Sequence, residues 1–61
     1  MNIDQKIEKW QNKHQEVLDA YSKGSANNEV MQMYRSRMKD ILEIIHDLEE
    51  IKNIANKVLN G

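Results

Sequence analysis

At 61 residues the chain has room for one small domain with a marginal core of its own, because a chain this short buries only about 60% of the surface its unfolded form exposes. It has no cysteine, which excludes disulfides and thiolate metal sites, and no apolar stretch approaches the roughly 20 residues of a membrane span. The formal charge is −1 with both signs interspersed, a poor match to nucleic-acid binding by counterion release and a good match to solvated helix faces.

The spacing predicts a first helix over about 3–23. Asn2 is placed to cap it, and Gln5 stands where a capping-box partner belongs. Ile3, Ile7, Trp10, Val17 and Tyr21 recur at alternating steps of four and three, with His14 filling the one gap. That is the narrow a/d seam of a coiled coil. The other sides carry Asp4, Lys6, Glu8, Lys9, Lys13, Glu16 and Asp19. Gly24 suits the left-handed residue that ends a helix.

Gly24, Ser25, Ala26, Asn27 and Asn28 form the connection, short enough to make the two helices antiparallel neighbours. Ser25 or Asn27 can cap the next helix, and Glu29 adds favourable charge to its first turn.

The second helix is expected over about 28–60, with Lys57 and then Gly61 as its stop. Its seam reads Met31, Tyr34, Met38, Ile41, Ile45 and Leu48, then Lys52, Ala55 and Leu59. A second apolar row runs beside it through Val30, Ile44, Ile51, Ile54 and Val58, with Leu42 on the far side. This helix spans about 50 Å against about 30 Å for the first.

Folding the chain about Ala26 sets Ile3 opposite Leu48, Ile7 opposite Ile44 and Ile45, and Trp10 opposite Ile41 and Leu42. His14 then meets Met38, Val17 meets Tyr34, and Tyr21 meets Met31 and Val30. Ile51, Ile54, Ala55, Val58 and Leu59 are left with no partner in the same chain. The expectation is an all-α antiparallel hairpin with a longer second helix, a single domain over 1–61, dimerising into a four-helix bundle. Its interface would be Ile44 with those five residues. Partners are then a second copy or another protein's helices. Residues 1–39 carry a net +2 and residues 40–61 a net −3, so Lys6 and Lys9 would run beside Glu43, Asp47, Glu49 and Glu50 and favour this register.

Sharper chemistry finds less support. His14 is expected to be a half-buried seam residue bonded across to Tyr34; the functional alternative is a pH-sensitive contact, since imidazole gains charge in mildly acid solution. Glu43 and His46 have the Glu-x-x-His spacing of di-iron bundles, with Glu50 following, but such sites need carboxylates converging from other helices. No metal or cofactor is therefore expected. Lys9, Lys13, Arg35, Arg37 and Lys39 offer a possible nucleic-acid patch, the main alternative function. Met31, Met33 and Met38 near the turn suit core filling or an adaptable docking surface. Ser22, Ser25 and Ser36 have no base placed beside them, so no enzyme is expected.

The hairpin size and the run Asn28, Glu29, Val30 faintly resemble small helical phosphatases of sporulating bacteria, which act on the aspartyl-phosphate of response regulators. That family carries Ser-Gln-Glu-Leu-Asp early in its second helix. This chain reads Tyr34, Arg35, Ser36, Arg37, Met38 at the matching place, so the acidic residues are missing, no site residue carries over, and a phosphatase analogue stands only as a distant alternative function. After Met1 there is no basic segment leading into an apolar run, so no signal peptide is read and a cytoplasmic setting is expected. Seven Lys against two Arg, with seven Asn and seven Ile, points to A/T-rich codons of a bacterium or phage.

Overall fold

The computed structural model describes residues 2–24 and 27–60. Two helices, α1 (Ile3–Ser22) and α2 (Asn28–Asn60), pack against each other as a hairpin, with no strand among the described residues.

Local chemistry sets three of the helix ends. Asn2 has extended backbone (φ −87, ψ 121), and its side-chain oxygen accepts from the Asp4 N–H at 2.9 Å. That satisfies one of the donors a helix start leaves orphaned. At the other end of α1 the Lys23 N–H donates to the Asp19 carbonyl, and the Gly24 N–H to the Tyr21 carbonyl. Gly24 then takes φ +63, the left-handed region that costs a glycine least. The helix stops one residue before the expected Lys23, which acts as its cap. For α2 the cap is Asn27: its side-chain oxygen accepts from the Val30 N–H and its carbonyl from the Met31 N–H, both at 3.0 Å. Ser25, the alternative cap, the turn centre Ala26 and the expected stop Gly61 lie outside the described residues.

The buried centre is small. Ile7, Ile41 and Ile45 are exposed by only 9%, 7% and 6%. Ile3, Trp10, His14, Val17, Tyr21, Met31, Tyr34, Met38 and Leu48 are half-buried around them. A two-helix layer closes only one stripe on each helix, so these side chains keep one flank in water. An ion pair ties the open end of the hairpin: Lys52 Nζ lies 2.6 Å from Asp4 Oδ1. A helical side chain leans toward its own N-terminus. Lys52 thus reaches back about one turn, to the level of Leu48, which is where a fold about Ala26 puts Asp4.

The shape is long and thin, with extents of 50 × 15 × 15 Å. Its radius of gyration is 14.9 Å, against about 10.5 Å for a compact domain of this length. The long dimension is that of α2 alone, since 33 residues at 1.5 Å each give about 50 Å.

Candidate interaction surface

Cover on α2 ends where α1 ends. Lys52 is the last half-buried residue of α2 before 53–59, each of which is exposed. Ile51 and Ile54 are each 55% exposed, Val58 76% and Leu59 81%, with Ala55 exposed between them. At 100° per residue these five occupy one face of α2, about 140° wide. This is the one place in the described chain where large apolar side chains stand together without neighbours from the other helix.

The apolar face does not end at Ile51. Ile44 lies seven residues earlier, in the same row of the helix. It is half-buried and lines an open groove of about 340 Å³ between the helices. Trp10, Val17 and Ile41 share the apolar lining, and Lys13, Glu16, Arg37 and Asp40 complete the wall. Two acids and two bases make that rim neutral. Lys13 Nζ sits 5.5 Å from the Trp10 ring centre, a cation–π contact that holds the indole against the α1 surface. The interhelical groove and the bare tail therefore form one surface along one side of α2.

Leu42 differs from its expected place opposite Trp10. It is 43% exposed, because it stands 100° round the helix from Ile41, away from the groove. Ile41 and Ile44 meet the Trp10 side instead. Met33 is also exposed, while Met31 and Met38 are half-buried on the seam. Leu18 and Ala20 are half-buried although neither belongs to the a/d seam from which the core was expected. They flank that seam, and close helix packing covers flanking positions too.

The remaining candidates separate. Lys9, Lys13, Arg35, Arg37 and Lys39 are all exposed, but they do not converge. Arg35 and Lys39 share one face of α2 as an i, i+4 pair, whereas Arg37, two residues from each, lies on the opposite side with Lys13 in the groove. Lys9 and Lys13 line a shallow depression made by α1 alone, together with Gln5, Glu8, Asn12 and Glu16. Glu43, His46 and Glu50 are exposed, and among the described residues no three potential metal ligands gather. His14 is half-buried beside the seam, and no hydrogen bond joins it to Tyr34. Ser22 uses its hydroxyl within α1, donating to the Leu18 carbonyl at 2.8 Å. Among the described residues no helix is long and apolar enough to cross a membrane.

Comparison with known proteins returns no matching family model, no matching curated protein and no matching solved structure.

Proposed function

We propose that this chain is a non-enzymatic protein–protein interaction module, a small helical hairpin that associates with itself and serves as a regulator, adaptor or structural subunit. The assembled form is a homodimer in which two hairpins make a bundle of four helices. The observation that carries this reading is the bare face of Ile51, Ile54, Val58 and Leu59, each more than half exposed. About two thirds of their surface is still exposed, so covering it would stabilise the assembly by about 4–8 kcal/mol per chain, at 1.5–3 kcal/mol for each side chain taken from fully exposed to fully buried. With only Ile7, Ile41 and Ile45 buried among the described residues, the hairpin has a small core for association to add to. Contiguous apolar patches of this kind mark interfaces on small proteins.

Solution mass across a concentration series tests the proposal. Sedimentation equilibrium from about 1 µM to about 1 mM should show a reversible rise from one chain to two. A fully helical protein that keeps the mass of a single chain throughout would remove self-association from the reading. Only Lys13 and Arg37 of the basic set line the neutral groove, so the nucleic-acid alternative has no comparable surface behind it.

A further inference from the structure

The chain carries two incomplete halves of one helix-packing contact. One is an apolar ridge with no groove, over 51–59 of α2. The other is an apolar groove with no ridge, floored by Trp10, Val17, Ile41 and Ile44. Their lengths agree: the tail runs about 13 Å, and the α2 wall of the groove from Arg37 to Ile44 about 11 Å. They lie on the same side of one helix, so a tail cannot reach the groove of its own chain. It can reach the groove of a second copy, and a two-fold axis then makes the exchange mutual.

Area points to a second copy as the occupant. A compact monomer of 7.2 kDa exposes about 4,100 Å². This chain exposes 5034 Å². The excess of about 900 Å² matches the roughly 800 Å² per partner of a stable interface.

Fit selects the register. If the two α2 helices overlapped fully, with the axis near Ile44, the tail of each copy would lie against residues 29–37 of the other, mostly past the groove. Moving the axis to between Asp47 and Leu48 seats the tail in the groove. Ile51 then meets Ile44 of the other copy and Ala55 meets Asp40, while the two Asp47 side chains stand beside each other at the axis. A tail-to-tail pairing centred on residues 53–55 would leave Trp10 and Val17 uncovered. We infer that the chain forms an antiparallel dimer about an axis between Asp47 and Leu48, the 51–59 tail of each copy occupying the Trp10–Val17–Ile41–Ile44 groove of the other. This rests on the self-association proposed above and adds its geometry.

The absence of native cysteine makes cross-linking a clean test. Asp47 and Ala55 are exposed and sit on the apolar side of α2, and Asp40 lines the groove. Under mild oxidation or with a short bis-maleimide, Asp47→Cys should link to its own copy. Ala55→Cys alone, about 22 Å from its counterpart by helix rise, should link at least about tenfold more slowly. A mixture of Asp40→Cys and Ala55→Cys proteins should give the mixed dimer. Trp10 emission should shift to the blue as concentration rises, since the tail covers the indole. Efficient linking of Ala55→Cys to itself, or a dimer by mass that Asp47→Cys fails to trap, overturns this register and leaves self-association standing. A single-chain mass at every concentration overturns both.

Discussion

Ile45 and Ile51 are six residues apart on α2, yet their truncation should separate the core of the hairpin from its bare face. Ile45 is 6% exposed, so Ile45→Ala removes buried methylenes and leaves a gap costing about 2–5 kcal/mol. A 61-residue chain has about 3–9 kcal/mol of stability in total, at 0.05–0.15 kcal/mol per residue. Ile45→Ala should therefore lose a large share of that stability and lower Tm at both low and high concentration. Ile51 is 55% exposed, and in an isolated chain Ile51→Ala should stay within about 0.5 kcal/mol of the wild type. Inside a dimer the same change loses a covered side chain, about 2 kcal/mol, which at 4–8 °C per kcal/mol lowers Tm by roughly 8–16 °C. The assay is thermal melting by far-ultraviolet circular dichroism at about 10 µM and about 500 µM, since mass action raises the Tm of an associating protein with concentration. The wild type should gain Tm between the two, and Ile51→Ala should lose most of that gain. If wild type and Ile51→Ala melt together at both concentrations, the tail is not a contact surface for this chain.

Gly24→Ala should destabilise by about 1 kcal/mol through its φ of +63 alone, because an added Cβ meets only the Ser22 carbonyl oxygen at 4.0 Å; Gly24→Asn should cost less, and chemical denaturation compares the two. Asn27→Ala removes the acceptor of the Val30 N–H and should cost about 1 kcal/mol in the same measurement, with Asn27→Asp retaining most of it. Lys52→Met breaks the ion pair with Asp4, whose side chains are 41% and 62% exposed, and should change stability by no more than about 1 kcal/mol; a larger loss in urea unfolding would show that the pair holds the hairpin end shut.

The parts of this fold legible in the sequence are those set by neighbours a few residues away. Asn2, Gly24 and Asn27 fill their roles through bonds to groups two to four residues distant, so residue type and spacing suffice to place them. The seam from Ile3 to Leu48 was legible because alternating steps of four and three keep side chains on one side of a helix. The flanks were harder to read. Leu18 and Ala20 gain cover only from the closeness of the opposite helix, which no spacing in α1 records. The Asp4–Lys52 pair depends on a lysine leaning back along its own helix, a direction that charge totals do not record. The basic candidates illustrate a different loss. Arg35, Arg37 and Lys39 look like a cluster along the chain, but steps of two residues turn Arg37 to the opposite side of the helix.

The unequal helix lengths also bear on how the tail holds its conformation. An isolated segment of nine residues would scarcely be helical in water, because the first turn is unfavourable to form. Here that turn lies far upstream, in the part of α2 that α1 covers, and residues 53–59 only extend an existing helix, one hydrogen bond per residue. Such an end winds and unwinds gradually from its tip. Its backbone amides should exchange with solvent in a gradient, slowest beside Lys52 and fastest toward Asn60. When a partner covers the segment, the gradient should flatten. The slope of amide exchange along the tail is therefore a residue-by-residue measure of occupancy, readable without labels and without knowing what has docked.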